Sequence, residues 1–427
     1  MNFSLFKNKN FTLHAISQGT GLFGTLCLQI AFSLYILDLT GSAGMFANAL
    51  VLSLLPNLLF GLFAGVYVDR INRKKLIVCL DVMRALVLLI YLFVDIFYTI
   101  SPTHVYILIF FLGICSTFFT PAFVSILPNI VEKEELIDAN AVERPLMESI
   151  RVIAPVLGAL FYGIGGLTIN LSINIVAFFI SAFTISFIHF GIKDEIMQKK
   201  ESMIKSVKEG FGVFKGDVQL TSLVINGFLT HFFLFSIVLV GFPFIIKEIF
   251  HGTDLDVGIV ESAAAIGSLS SIFIVMYLKK RKTTMTKGIF IGVIGMSVSV
   301  LPLLVVALPF VATFLANSKI AMILFFSLIT LVIFWMFGNY GVYFVSFYQI
   351  RVPNHLIGRY SAIMLLIFSF GRFIGFKFFG YVLDQYPLLL TFIILAVGMI
   401  LKIIVHIPFM RVEQKETPPS LTIPVNG

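Results

Sequence analysis

Charge is scarce in this 427-residue chain: Asp, Glu, Lys and Arg together make up 12% of it, against 59% hydrophobic residues. A water-soluble domain of that composition would have nowhere to put most of its side chains, so a membrane protein is expected. Cysteine is scarcer still. Cys27, Cys79 and Cys115 each lie inside an apolar run, where a thiol behaves as a small hydrophobe, and a disulfide framework is not expected. A GxxxxGK[ST] loop is absent, as is a soluble ATPase domain, which argues against a nucleotide-driven pump. HExxH and paired CxxC patterns are missing and the histidines are scattered, so no metal site and no cofactor are expected. No long hydrophilic stretch remains to form a separate soluble domain. A cleavable leader is not expected either, since the run from Phe11 to Leu37 is too long and lacks a small-residue cleavage site.

What charge there is falls mainly between apolar runs. The stretch GVYVDRINRKK, Gly65 to Lys75, places Arg70, Arg73, Lys74 and Lys75 directly after Asp69, between two segments long enough to cross a bilayer. An excess of Arg and Lys in so short a loop assigns it to the cytoplasmic side. The net charge of +8 is therefore read as topology and contact with anionic lipid, and nucleic acid is not an expected partner.

Hydropathy sets the first six spans at about 11–37, 43–68, 75–96, 101–128, 139–165 and 168–190. A tight turn at Asp38, Gly41 and Ser42 separates the first two, and a Gly165–Gly166 turn separates the fifth from the sixth. Residues 191–217 break the rhythm. Lys193, Lys199, Lys200, Lys205, Lys208 and Lys215 alternate there with Ile204, Val207, Phe211 and Phe214 at spacings of three and four, the pattern of a helix lying in the membrane interface. Six further spans follow at about 218–245, 257–278, 286–310, 320–348, 357–382 and 387–410. The expected units are thus a bundle over 1–190, a cytoplasmic linker over 191–217, a second bundle over 218–410 and a cytoplasmic tail over 411–427.

Charge counting tests that division. Of the 30 Lys and Arg residues, 22 fall in the N-terminus, the even-numbered connections with the span ends adjoining them, and the C-terminus, while only Lys247 and Lys319 fall in the opposite connections. An odd number of spans would invert one half and destroy the asymmetry, so both termini are expected in the cytoplasm.

Six plus six spans, a central linker and GVYVDRINRKK resemble the major facilitator superfamily of secondary transporters. Gly65, Asp69, Arg70, Arg73 and Lys74 fit its loop signature Gly-x-x-x-Asp-Arg-x-Gly-Arg-Arg/Lys, with Asn72 in place of the glycine. Asn tolerates a left-handed turn, which makes the departure mild. VPNHLIGRYSAI, with Gly358 and Arg359, is similar to the family's start of span eleven, and VEKEELIDANA resembles the segment before span five in the macrolide and siderophore exporter branch. The resemblance implies an all-α polytopic protein of twelve transmembrane helices in two pseudo-symmetric six-helix bundles. It also implies a cytoplasmic gate latch at the signature loop, where Asp69 can meet a helix N-terminus and Arg70 and Arg73 can clamp acceptors across the seam. The matching loop between spans eight and nine, YLKKRKTTMTK, carries Lys279, Lys280, Arg281 and Lys282 without a preceding carboxylate, so the second copy is assigned to orientation.

Polar residues at membrane depth mark the transport path, because each is costly unless it faces protein or water. Arg144, Glu148 and Arg151 are stacked on one face of span five; a compensated buried pair and a carboxylate whose pairing changes with protonation both fit. Arg372 in span eleven either locks the bundle or lends positive potential to a cavity, and the resemblance places spans five and eleven at one interface. Asp81 and Arg84 in span three can pair locally or support the gate. Lys377 is positioned to snorkel toward the exterior. Glu261 is read either as an exterior gate or as an interfacial carboxylate.

By the same resemblance spans one, four, seven and ten line the cavity, where this chain offers Gln18 and Gln29, Asn226 and His231, and Trp335, Asn339, Tyr340 and Tyr343. That mixture suits a small amphipathic organic molecule, although each aromatic also fits ordinary helix packing. The Arg often found in span four of proton-coupled drug exporters is missing, and the antiporter signature of span five survives only in Ala154–Pro155–Val156–Leu157–Gly158. The expectation is a monomeric, proton-gradient-driven exporter in a bacterial inner membrane. An organic-solute importer is the alternative within transport, and a non-transporting receptor or structural protein lies outside it. No convergent catalytic set argues for an enzyme.

Overall fold

The structure is a computed structural model that describes residues 3–68, 71–124, 126–132, 135–188, 217–353 and 356–413. Its long helices are α1 (Lys9–Thr40), α2 (Ala43–Val68), α3 (Arg73–Phe97) and α4 (Pro102–Val124), then a run over Leu136–Ser186. That run is broken at Gly165 and Gly166, where Gly166 takes φ +61° and ψ −154°, a region closed to residues with a Cβ. Its arms, 136–164 and 167–186, are α5 and α6. The second half comprises α7 (Val218–Ile249), α8 (Asp254–Lys280), α9 (Met285–Ser299), α10 (Lys319–Arg351), α11 (Ile357–Gln385) and α12 (Leu388–Glu413). The expected turn at Gly165–Gly166 is present, and the all-α two-bundle fold is the one observed.

Local chemistry fixes several helix ends. Asn8 starts α1 by accepting the N–H groups of Asn10 at 3.0 Å and Phe11 at 3.3 Å, and Gly41 ends it in the left-handed region. Asp217 starts α7 in the same way, receiving Gln219 and Leu220 N–H at 3.0 Å each. Asn72 departs from its sequence reading: it adopts φ −64° and ψ 105°, an extended conformation, and caps α3 by accepting Lys75 N–H at 3.0 Å. The residue stands where glycine is usual because it begins a helix, and no left-handed turn is involved. Span nine also differs from expectation. The apolar stretch able to cross a membrane runs over Met285–Val306, but its first helix stops at Ser299, and two short helices follow, Leu303–Val306 and Pro309–Asn317, because Pro302 and Pro309 each start a new turn. In α7, three π-helical turns, Thr230–Leu234, Ile237–Gly241 and Ile245–Ile249, interrupt the α geometry.

Between the halves, α2 packs on α11 and α5 packs on α8. One continuous apolar core joins Leu34, Leu37, Phe46 and Leu50 of the first half to Ile237, Phe242, Val257 and Phe379 of the second. The first half's opposite end, near Arg73, packs as a separate cluster around Phe11, Ile77, Phe123, Val142 and Ile185. The halves thus share a core at the end where α1 finishes, and this sets where the polar contacts between them can form.

Candidate functional site

A polar clasp closes the shared end. Lys247, at the end of α7, donates to both Asp38 at the end of α1 and Asp254 at the start of α8. Tyr162 of α5 donates its hydroxyl to the other Asp38 oxygen at 2.7 Å, and the Lys247 ammonium stands 6.0 Å from the centre of the Tyr162 ring. Beside this group the Asp384 carboxylate, at the end of α11, accepts Ala43 N–H at 2.7 Å, Gly44 N–H at 2.9 Å and the Ser42 hydroxyl at 2.6 Å. It therefore caps α2 from the other half, where the helix dipole favours an anion. Lys377 donates to the Asn48 side chain one step deeper in the same seam, so it holds α11 to α2. Gly380 allows that seam: a Cβ there would lie 2.8 Å from the Ala47 Cβ. Three helices from each half meet in the clasp.

Of the expected gate residues, Gly65, Arg73, Lys74 and Gly358 lie at the opposite helix ends. Asp69 and Arg70 fall outside the described residues, as does the Arg359 side chain, while Gly65 sits within the last turns of α2 and Gly358 in the first turn of α11. Arg73 opens α3, and Lys74 donates to the Ile188 carbonyl at 2.8 Å, within its own half. In the second half, Arg351 at the end of α10 donates to Asp217 at 2.6 Å and ties it to α7.

Asp81 and Arg84 take the local option. Their side chains pair at 3.2 Å, fully buried, with Ser181 donating to Asp81 at 2.6 Å and Arg84 reaching Ser116 at 3.3 Å. Ser181 also meets Ser17 at 3.0 Å, and the Arg84 guanidinium lies over the Phe119 and Phe178 rings at 4.8 and 5.4 Å. The network binds α1, α3, α4 and α6 into one bundle. Of the expected coupling set, the side chains of Arg144 and Glu148 lie outside the described residues, Arg151 is exposed, and Arg372 reaches Ser369 on its own helix at 3.4 Å with its buried Nε unpartnered.

The expected cavity residues are not brought together. Asn226 donates to the Lys402 carbonyl at 3.0 Å, Asn339 to the Gly288 carbonyl at 3.0 Å and Trp335 to the Ser270 carbonyl at 3.1 Å. These three staple helices of the second bundle to one another, which corrects their reading as cavity polar groups. Tyr340 is buried beside Phe344, and the Tyr340 and Tyr343 hydroxyls have no hydrogen-bond partner among the described residues. Gln29 is half-buried, and Gln18 hydrogen-bonds the Glu143 side chain while its buried carbonyl oxygen has no partner among the described residues. His231 is held at Gly227 O, 2.8 Å away, and sandwiched between Phe235 and Phe368 at 4.6 and 4.8 Å. Phe235 continues into an apolar contact with Leu234, Val238, Ile333, Phe334 and Phe337 that is packed too closely to admit a water molecule. This aromatic wall, on α7, α10 and α11, is the part of the site best suited to an apolar ring system.

Sequence reasoning misses several groups. Lys402 is fully buried in α12, with the Met296 sulfur at 3.6 Å and the Tyr340 ring at 5.8 Å, and His406 one turn on is buried with both ring nitrogens unpartnered. A lone cation inside LLLTFIILAVGMILKIIVHIPF is the available signal. His14 and Glu143 face each other across α1 and α5. Among the described residues, no group of three His, Cys, Asp or Glu is placed to hold a metal.

Comparison with known proteins agrees with this architecture. The family described as Transmembrane secretion effector matches residues 1–424. Macrolide efflux protein A of Streptococcus pyogenes is 27% identical over 297 residues, 69% of this chain and 73% of that protein. Among solved structures, a bacterial homologue of the iron transporter ferroportin in an inward-facing state superposes with a TM-score of 0.70 at 15% identity, covering 94% of this chain and 98% of that one. In its outward-facing state the TM-score is 0.59 at 16% identity, over 94% and 99% of the two chains.

Proposed function

The chain belongs to the Transmembrane secretion effector family of major facilitator transporters, a multi-pass bacterial membrane protein that moves small molecules by alternating access, and we propose that it is a proton-coupled exporter of hydrophobic or amphipathic molecules. The observation that carries the reading is Lys247 bridging Asp38 and Asp254 across the two halves. Ionic and capping contacts of this kind close one end of a transport path and can be remade at each cycle without covalent chemistry. The charge asymmetry assigns the clasped end to the exterior and the Arg73 end, with both termini, to the cytoplasm. In that orientation the clasp closes the path outward. The higher TM-score against the inward-facing ferroportin homologue supports the same state.

The bundles over 1–190 and 218–410 then rock about the seams α2–α11 and α5–α8, joined by the linker over 191–217, and a single chain holds the whole path. Asp69, Arg70, Arg73, Lys74 and Arg359 form the opposing latch in this reading, and Glu148, flanked in sequence by Arg144 and Arg151, couples a proton to the cycle in one network with Arg372. The His231–Phe235–Phe368 wall is the substrate surface in this reading, reached when the halves part. The efflux activity named for the Streptococcus pyogenes relative supports export and supplies a first probe.

The test uses the full chain in proteoliposomes with a labelled macrolide and an imposed pH gradient. Accumulation that requires the gradient, with extrusion from intact cells, is the expected result. Uptake by cells would establish the importer, and binding without flux would establish a receptor.

A further inference from the structure

Where α1 meets α5, Gln18 reaches the Glu143 carboxyl and the Phe123 backbone stands beside the His14 ring, yet four buried polar atoms have no well-formed hydrogen bond among the described residues. They are both ring nitrogens of His14, the Gln18 Oε1 and the Glu143 Oε2. His14 Nδ1 lies 3.9 Å from Glu143 Oε2, and the two side chains are 1% and 11% exposed. The Phe123 ring of α4 closes the third side, its centre 4.4 Å from that of the imidazole, and Phe119 stacks behind it at 5.1 Å. Water has little access, and the described protein groups do not satisfy these atoms. Buried polar groups are normally well bonded, and a carboxyl oxygen and an imidazole nitrogen that face each other at 3.9 Å without closing a hydrogen bond are an exception that calls for a cause.

From this geometry we infer that His14, Glu143 and Gln18 form a proton-binding site distinct from Glu148. A neutral imidazole has one N–H to share between the Phe123 backbone and the Glu143 carboxylate; one added proton makes an imidazolium with two, so that Nδ1–H can close a charge-assisted hydrogen bond to Glu143 Oε2. Such a bond needs a separation of about 2.7–2.9 Å, so binding draws the two side chains together by about 1 Å. Release reverses the step: the proton leaves, and the carboxylate and imidazole separate. The α5 backbone touches α1 at Gly158, where a Cβ would lie 2.6 Å from the Cys27 carbonyl oxygen, so the approach acts on the ends of two helices already in contact. Glu143 lies five residues before Glu148, roughly 7.5 Å along the helix.

The charged neighbours are few. On the α3 and α6 side, Ser17 leads through Ser181 to the Asp81–Arg84 pair, which is internally compensated. The α4 side presents Phe119 and Phe123, without a titratable group in the contact. Lys7 and Lys9 lie before His14 in the chain, Arg151 is exposed further along α5, and the side chains of Arg144 and Glu148 are outside the described residues.

This inference rests on the proton-coupled reading, and the experiment separates the two. Wild type, Glu143→Gln, His14→Gln and Glu148→Gln are reconstituted at equal folded protein, and gradient-driven macrolide accumulation and gradient-free exchange are measured from pH 5 to 8. Wild-type accumulation indifferent to the gradient overturns proton coupling itself. With coupling established, Glu143→Gln and His14→Gln are expected to lose accumulation, to keep exchange within about twofold of wild type, and to flatten the pH dependence of exchange. Retained gradient-driven accumulation in both overturns the site while leaving coupling intact. If one variant fails to assemble, the other decides by the same criteria. If both fail, wild-type pH-difference infrared spectra decide: absence of a buried carboxyl band coupled to an imidazole band overturns the site.

Discussion

The Asp384 carboxylate accepts the Ser42 hydroxyl at 2.6 Å, joining the last turn of α11 to the residue before α2. The same carboxylate takes the Ala43 and Gly44 N–H groups, so one side chain from the second half completes a helix of the first. Opening that end must leave two backbone donors without it.

Asp384→Asn keeps the size and removes the charge. The closed state should lose about 1 kcal/mol, a shift of about fivefold in the ratio of closed to open molecules, since the site is partly solvated. Spin labels at the adjoining ends of α2 and α11 should report a larger population at long distance. An unchanged distance distribution would assign the contact no role in closure.

Lys247 separates two carboxylates that would otherwise confront each other. Lys247→Gln should open the clasp, and adding Asp38→Asn should recover part of the loss, because it removes the repulsion with Asp254. A double-mutant cycle on the closed-state population should give a coupling of about 1–3 kcal/mol. Additive effects would contradict the bridge.

Arg84→Gln strands Asp81 in the interior of the first bundle. Breaking a buried pair on one side costs about 3–5 kcal/mol, so yield and thermal stability should fall while flux per folded molecule is kept. Normal stability with lost flux would return the pair to the gate.

Asp69→Asn tests the latch that faces the clasp. Insertion should be normal and flux reduced, with more labelling of cysteines placed at the cytoplasmic ends of α2 and α11. Normal labelling with normal flux would reduce the loop to a topology signal.

The helices are legible because each obeys a local rule. Gly165–Gly166 reads as a turn since adjacent glycines permit the positive φ that Gly166 adopts. Hydropathy overruns span nine because LPLLVVALPF remains apolar after the helix stops, and an apolar average does not register two prolines. Asn72 misleads because its tolerance of one backbone conformation weighs less than its ability to cap a helix in another. The clasp is out of reach. Asp38 and Lys247 are 209 residues apart, Ser42 and Asp384 are 342 apart, and each reads alone as an ordinary polar residue at a helix end. His14 and Glu143 share that difficulty, since what distinguishes them is the partners they lack.

The three π turns of α7 have a consequence for how this gene can vary. Each accommodates one residue beyond what an α turn would hold, with bonds from Phe235, Phe242 and Phe250 N–H reaching back five residues to Thr230, Ile237 and Ile245. Deleting Leu239 lets its turn relax into α geometry, whereas deleting Leu331 from regular α10 rotates every later side chain off its face. A deletion scan should find the first variant folded and the second lost, making α7 the spanning helix in which the reading frame of side chains can gain or lose a codon.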